Sequence, residues 1–204
     1  VLRSAEVLGP RYVRILAARD SGGGAASRWS FGQTIKANPW LAGAYADLIL
    51  RIADAGLAAC IENEARNCAL AAPEDVVDFF GFLRPLIGST PCDYIWDVQN
   101  MWQMGTFPSL AGYEKMRPFV RSIHLKGGRA GTHQVLAEAC GLRDASWPVL
   151  EIVREVRRVD KVEVICLNLD YDVVRSGYGV DTCDLGLGVL QGHDCFPDTL
   201  GAAD

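Results

Sequence analysis

An apolar, β-branched run followed by a segment of helical periodicity recurs along this chain, and this alternation constrains the fold more than any other feature. The runs predict five strands, at residues 11–17, 57–61, 94–98, 120–125 and 162–167. Strands that alternate with helices are joined by right-handed crossovers and therefore lie parallel in one sheet. The pattern predicts an α/β fold.

Helix signals fill the gaps between the strands. Asn38-Pro39 opens a helix that Gly56 ends, and Pro and acidic residues at 72–75 open another. Apolar residues spaced for a helix also predict helices at 110–116 and 147–159. Each predicted helix lays one apolar face on the sheet.

Two architectures fit this order, a doubly wound sheet and a (β/α)8 barrel. A dinucleotide-binding sheet carries G-x-G-x-x-G after its first strand. The stretch GGGAASRW that follows the first predicted strand lacks that spacing, and no helical pattern begins there. We interpret residues 21–27 as a flexible loop.

Polar side chains at the ends of three strands favour the barrel. Glu62, Asp97 and His124 each lie at the C-terminal end of an apolar strand, and in a barrel all those ends meet at one mouth, where active sites are built. An isolated buried carboxylate is costly unless it is paired or binds a metal. We therefore predict a site for a divalent cation, with oxygen and nitrogen ligands suited to Mn, Mg, Co, Fe or Zn.

Each residue also has an ordinary structural explanation. Asp97 could cap a helix or pair with an arginine, Glu62 could form a salt bridge at the rim, and His124 could be a satisfied, partly buried histidine. The convergence of all three favours a site.

Neighbouring polar residues complete the predicted site. Glu64 follows Glu62 on the same side of the strand if the strand continues, so it is a candidate base or outer residue. Substrate contacts are predicted from the following polar and basic residues: Asn100, Lys126, Arg129 and Arg14. Lys126 could equally be rim charge.

Composition excludes several other classes of protein. A formal net charge of −5 gives nucleic acid no general attraction, and no apolar run is long enough for a membrane helix. Seven cysteines without a CxxC pair argue against a disulfide framework and a zinc finger. The N-terminal residues lack a signal-peptide pattern, so we expect a reduced, cytoplasmic environment.

Several short motifs, in order, resemble one superfamily. LGPRYVRIL, CIENE, WDVQN, RSIHLKGG and GLRDASWPVLEIVREV are similar to the sugar phosphate isomerase/epimerase superfamily, the xylose isomerase-like TIM barrels. The resemblance implies a (β/α)8 barrel in which Glu62, Asp97, His124 and a glutamate on the last strand bind one divalent metal. In the epimerases of this superfamily, two glutamates also move the proton beside the carbonyl.

The chain departs from that pattern in two ways. Its last predicted strand, VEVICLNLDYD, lacks the expected glutamate, so we predict that Cys166 and Asn168 face the interior on the side of His124 as replacement ligands. Only five βα units are visible, the last five of a barrel. We expect residues 1–175 to be the C-terminal part of a barrel, completed by missing sequence, a second copy or a partner chain, and 176–204 to be a glycine-rich extension.

The predicted function is a metal-dependent isomerase or epimerase that acts on a small sugar, polyol or related hydroxycarbonyl compound through an enediolate. The alternatives are a lyase or dehydratase on the same barrel, and a metal-free pseudoenzyme that serves as a binding or partner subunit. The expected partner is a small-molecule substrate, not nucleic acid or a membrane.

Overall fold

Helices and strands alternate along the computed structural model, which describes residues 2–19, 30–158 and 162–167. In chain order the elements are α1 (Leu2–Leu8), β1 (Tyr12–Leu16), α2 (Phe31–Ala37), α3 (Trp40–Asp54), β2 (Ala58–Glu62), α4 (Pro73–Ile87), β3 (Cys92–Asp97), α5 (Val98–Gln103), α6 (Leu110–Met116), β4 (Val120–Leu125), β5 (Gly127–Ala130), β6 (Leu136–Cys140), α7 (Val149–Arg158) and β7 (Val164–Leu167).

One five-stranded sheet carries the fold, in the order β1-β2-β3-β4-β7. Every neighbouring pair of its strands is parallel. The predicted parallel strands in chain order are therefore confirmed, and the reversal of strand order that marks a doubly wound sheet is absent from the described residues. The fold is α/β, of partial TIM-barrel type.

The outer face of the sheet packs against the helices. Strand residues such as Ile61, Tyr94, Trp96 and Ile123 join one apolar core with helix residues. Phe79 of α4 anchors this layer through edge-to-face contacts with Phe31 of α2, Tyr45 of α3 and Phe80 of its own helix. Burial of these large side chains supplies the main driving force for folding of this layer.

The opposite, inner face carries polar side chains. Alternation along the strands and the register between them put Arg14, Glu62, Asp97, His124 and Cys166 on this face. Glu62 and Asp97 are almost fully buried. The sheet therefore separates an apolar helix side from a polar interior.

A β-bulge at Arg121 decides which way β4 presents its histidine. Val120 pairs with Tyr94, which belongs to the outer core, and the register then shifts so that Ser122 pairs with Ile95 and His124 with Asp97. In a regular strand, residues 120 and 124 point to the same face. The extra residue reverses the phase, and His124 faces inward.

Several elements differ from the sequence prediction. The third strand is Cys92–Asp97, which begins two residues earlier than the predicted 94–98 and ends one residue earlier, because α5 begins directly at Val98. The antiparallel pair β5–β6 was not predicted, and neither were the helices α1, α2 and α5. Residues 21–27 and 176–204 lie outside the described residues. Of the helices that the structure describes, none is both long and apolar enough to span a membrane.

Candidate metal centre

Three potential ligand side chains meet where β2, β3 and β4 end. Glu62 and Asp97 are the last residues of β2 and β3, and His124 is the last but one of β4. One ligand atom from each of Glu62, Asp97 and His124 lies within 4.8 Å of the other two. Within the described part of the chain, this is the one group of three or more histidine, cysteine or acidic side chains so arranged.

The ring of His124 directs its Nδ1 toward the two carboxylates, as a third ligand of the same cation would. Its Nδ1 lies 2.9 Å from Oε1 of Glu62 and 3.9 Å from Oδ2 of Asp97. Despite these distances, the buried Nδ1 makes no well-aligned hydrogen bond with the described residues. In its deprotonated form this nitrogen has a lone pair directed toward the two carboxylates, where a cation held by all three residues would lie. Two carboxylate oxygens and one imidazole nitrogen suit Mn, Fe, Co, Zn or Mg, so these residues fit a divalent cation.

Two basic residues flank the three ligands. Arg14 on β1 donates to Oε2 of Glu62 at 2.7 Å, and Nζ of Lys126 lies 2.8 Å from Oδ2 of Asp97. Both carboxylates are buried, whereas the Arg14 side chain is 55% exposed and that of Lys126 is 13% exposed. Each carboxylate therefore has its own counter-ion.

The pKa values of the two carboxyl groups are shifted in opposite directions. Burial alone would raise the pKa of Glu62, but His124 and Arg14 outweigh it and hold that pKa below its ordinary value. Burial dominates at Asp97 and raises its pKa, although Lys126 and the Asn100 backbone N–H oppose the shift. The surroundings therefore favour the ionised form of Glu62 and the neutral form of Asp97.

Asp97 is fixed by backbone contacts as well as by Lys126. Its Oδ1 accepts from the backbone N–H of Asn100 at 3.0 Å and so caps α5. The side chain of Asn63 spans the Asp97 backbone, donating to its C=O and accepting from its N–H, both at 2.8 Å. Asp97 therefore caps α5 with its Oδ1, as one of the structural explanations predicted, and its Oδ2 remains for Lys126 or a cation.

The other predicted residues divide into two groups. Asn100 lies in the site, where its Oδ1 accepts from Lys126 at 3.3 Å. Glu64 lies beyond the end of β2, and its carboxylate binds Arg19 at 2.6 Å. Arg129 lies on β5 and pairs with Glu138 at 2.8 Å.

Of the two predicted replacement ligands, the structure describes Cys166 alone. Cys166 is the register partner of His124 and shares its face. Its thiol is not among the ligand atoms that the structure brings together, and it lies close enough to influence the pKa of Tyr12. Asn168 lies outside the described residues.

Sequence reasoning overlooked two buried polar residues beside the site. Asn63 has no exposed surface and holds the Asp97 backbone. Gln99 donates to the carbonyl of Gly127 at 2.8 Å and ties α5 to the start of β5. The signal for Asn63 was its place directly after Glu62 at a strand end.

This chain resembles solved structures of two xylose isomerase domain proteins and of a sugar epimerase. A xylose isomerase domain protein from Planctomyces limnophilus matches with a TM-score of 0.70 and 14% identity, over 94% of this chain and 62% of that one. A xylose isomerase domain containing protein from Salmonella typhimurium matches with a TM-score of 0.62 and 12% identity, over 93% and 66%. The apo form of 3-keto-D-glucoside 4-epimerase from E. coli matches with a TM-score of 0.56 and 12% identity, over 91% and 67%.

These likenesses show the fold, a βα barrel of which this chain forms a part, as the sequence motifs implied. The chain spans less than two thirds of the length of the first two structures. No family model and no curated protein matches the sequence.

Proposed function

We propose that this chain carries the metal site of an isomerase or epimerase that acts on a small sugar, polyol or related hydroxycarbonyl compound. The observation that carries the proposal is the convergence of Glu62, Asp97 and His124 at the C-terminal ends of three adjacent parallel strands. That edge is where barrel enzymes place their chemistry. The resemblance in fold to a sugar epimerase supports the reaction class.

Glu62, Asp97 and His124 would hold the cation. A bound divalent cation supplies Lewis-acid polarisation of a carbonyl and hydroxyl pair on the substrate. Asn63 and the α5 cap keep the Asp97 carboxylate in place for this task. The Nδ1 of His124 is already directed at both carboxylates.

Glu62 is the proposed proton carrier. Its lowered pKa keeps it ionised at neutral pH, ready to accept the proton from the carbon beside the carbonyl and leave an enediolate. Return of that proton to the neighbouring carbon, with the hydroxyl proton passing to the former carbonyl oxygen, completes an isomerisation, whereas protonation of the original carbon on its opposite face by a second acid completes an epimerisation. Lys126 has N–H donors that can stabilise the oxygen on which negative charge develops. Glu64, which Arg19 binds, remains the candidate second carboxylate.

The experiment that tests the proposal separates metal binding from turnover. Metal analysis of the purified protein and calorimetric titration with Mn²⁺ give the stoichiometry, for which we expect about one cation per chain. Proton exchange is then followed by ¹H NMR in D₂O, as loss of the signal of the proton on the carbon beside the carbonyl of small aldoses and ketoses. Glu62→Gln should retain the fold and abolish exchange, whereas Glu74→Gln, on the exposed surface of α4, should leave exchange unchanged.

One observation favours a second candidate, the metal-free binding subunit. Arg14 and Lys126 already neutralise the two carboxylates without a cation. Failure of the protein to bind Mn²⁺, Zn²⁺, Co²⁺ or Mg²⁺ in the titration would favour this candidate over the enzyme. A lyase shares the first proton abstraction, so deuterium exchange followed by loss of water or of a carbon fragment would identify it.

A further inference from the structure

Lys126 lies at the junction between the two sheets. It follows Leu125, the last residue of β4 with a register partner on β7, and it precedes Gly127, the first residue of β5 with a partner on β6. The chain therefore passes from a parallel to an antiparallel sheet at the residue whose ammonium reaches the candidate site. The position of that ammonium depends on what holds this junction.

Two buried side chains donate to the backbone of the junction. Nε1 of the Trp147 indole donates to the carbonyl of Lys126 at 3.3 Å, and Nε2 of Gln99 donates to the carbonyl of Gly127 at 2.8 Å. Trp147 lies just before α7, and Gln99 lies in α5. Donors from two different parts of the fold thus fix two successive carbonyls, and this restricts the backbone from which the Lys126 side chain extends.

The helix α5 also holds the far end of the Lys126 side chain. Nζ of Lys126 lies 2.8 Å from Oδ2 of Asp97, the residue that caps α5, and 3.3 Å from Oδ1 of Asn100, which follows Gln99. The same helix therefore places both acceptors of the ammonium and, through Gln99, the backbone beside the lysine. Ordering a lysine side chain costs conformational entropy, and attachment at both ends keeps it in the site.

The amide of Gln99 is only partly satisfied. Its Oε1 is buried and has no hydrogen-bond partner among the described residues. A buried polar atom without a partner costs free energy, so packing alone would favour an apolar side chain at this position. The hydrogen bond from Nε2 to Gly127 opposes that cost, which points to the junction as the reason for an amide here.

We propose that Gln99 and Trp147 are positioning residues that act through Lys126. They hold the junction so that the ammonium stays beside Asp97 and Asn100, where it donates to the substrate oxygen that gains negative charge. The inference rests on the proposed function, which gives Lys126 that task. Donors that are fixed before the reaction stabilise a developing charge without reorganisation, and a displacement of about 1 Å can cost about 100-fold in rate.

The position of the lysine is tested first, on the metal-free protein without substrate. Acetic anhydride acetylates accessible amines, and peptide mass spectrometry gives the rate at each lysine. Lys126, whose side chain is 13% exposed, should react more slowly than Lys115, whose side chain is 57% exposed. Gln99→Met and Trp147→Phe should each raise the Lys126 rate by about three- to tenfold, as expected for loss of one hydrogen bond, and leave the Lys115 rate unchanged.

Turnover then shows whether this positioning serves the reaction. Lys126→Met removes the donor itself and should lower kcat for proton exchange by about 100-fold. Gln99→Met and Trp147→Phe should each lower kcat by about tenfold and change KM by less than about twofold. Either substitution added to Lys126→Met should lower kcat further by less than about twofold, because a residue that acts through the lysine has no effect once the lysine is gone.

Two further variants serve as matched controls. Trp102→Phe removes an indole N–H that donates to the carbonyl of Gln134 at 2.7 Å, and Thr106→Val removes a hydroxyl that donates to the carbonyl of Ala71 at 2.7 Å. Each loses a hydrogen bond from a side chain to a backbone carbonyl, away from residues 126 and 127. They should lower the thermal midpoint as the test variants do, and leave kcat and the Lys126 labelling rate unchanged.

The outcomes separate this inference from the proposed function. Three results overturn the inference and leave the proposed function standing: unchanged kcat in both test variants, unchanged Lys126 labelling in both, or a fall in kcat of equal size with and without the lysine. A wild type that exchanges no proton overturns the proposed function and the catalytic purpose of the positioning. The labelling rates then still decide whether Gln99 and Trp147 hold Lys126.

Discussion

Asp97 and His124 are register partners on β3 and β4, and they share the inner face only because a bulge at Arg121 shifts the strand by one residue. The guanidinium of Arg121 binds Oδ2 of Asp93 at 3.1 Å and both carboxylate oxygens of Glu163, at 2.9 and 3.0 Å. These contacts lie on the strands to either side of β4 or directly before them. The ion pairs thus stabilise the backbone irregularity that turns His124 toward Glu62.

Arg121→Met tests this link between the bulge and the metal ligands. Loss of a partly buried ion-pair network should cost about 2 kcal/mol in the free energy of unfolding. Because the bulge loses its anchors, Mn²⁺ affinity should also fall, by about tenfold. Urea unfolding and calorimetric titration measure the two effects. Arg117→Met removes an ion pair between the end of α6 and Glu155 of α7, outside the bulge, and should spare Mn²⁺ affinity; equal affinity in both variants would contradict the role given to the bulge.

Asn63→Ala tests how the backbone of Asp97 is held. The substitution leaves a buried N–H and a buried C=O of Asp97 without their partner, which should cost about 2 kcal/mol or more. Loss of a group that orients a ligand lowers metal affinity by about 10- to 100-fold. Asn38→Ala, which removes one hydrogen bond at the end of α2, is the control. Mn²⁺ affinity that is the same in the two variants would show that Asn63 supports the fold alone.

The sequence predicted the parallel sheet because its three central strands, β2, β3 and β4, are largely buried on both faces. Buried parallel strands are written as continuous apolar runs, and residues such as Ile61, Trp96 and Ile123 made those runs visible. The polar residues at their ends were visible for the same reason, since Glu62 and Asp97 interrupt apolar sequence. Strand order and the convergence of Glu62, Asp97 and His124 followed from the geometry of a barrel.

Other features depend on partners that are distant in sequence. Simple alternation along β4 assigns Val120 and His124 to one face, and the bulge that separates them is held by Glu163, 42 residues from Arg121. Asn63 acts on a backbone 34 residues away. The β5 strand reads GGRA, which lacks the β-branched residues that mark strands. Local pattern marks Asn63 as a polar residue at a strand end and does not show that it holds the Asp97 backbone, and it reveals neither the bulge nor β5.

Gly127→Ala tests the packing of the antiparallel β5–β6 pair, and Gly43→Ala in α3 is its control. A Cβ on Gly127 would lie 2.1 Å from the backbone oxygen of Cys140, so Gly127→Ala must push the two strands apart. It should also strain the Gln99 hydrogen bond to residue 127 and lower the thermal midpoint. Gly43 lies in α3 with nothing within 4 Å of its added Cβ, and Gly43→Ala should stabilise by about 0.5–1 kcal/mol. A midpoint that rises in both variants would contradict this packing.

The thiols of Cys60 and Cys92 should be inert in the folded protein. Burial raises the pKa of each to about 12, and at pH 8 only about one thiol in ten thousand is then the reactive thiolate. Iodoacetamide labelling followed by peptide mass spectrometry should show modification of both residues only upon unfolding in urea. The half-buried Cys140 should react earlier. Rapid native labelling of Cys60 would show that the inner face is open to reagents near β2.

The opposite pKa shifts of Glu62 and Asp97 predict opposite effects of pH on the metal-free protein. Glu62 has a folded pKa below its ordinary 4.5, so its contribution to stability is complete above 4.5 and is lost as the pH falls through the folded pKa. Asp97 has a folded pKa above 3.8, so its contribution is complete below 3.8 and is lost as the pH rises through the folded pKa. Urea unfolding between pH 3 and 7, with a chelator present, should show a smaller loss on acidification in Glu62→Gln than in the wild type. Asp97→Asn should show a smaller loss as the pH rises. A wild-type curve parallel to that of Glu62→Gln would mean that His124 and Arg14 do not outweigh burial at Glu62, and one parallel to that of Asp97→Asn would mean that burial does not dominate at Asp97.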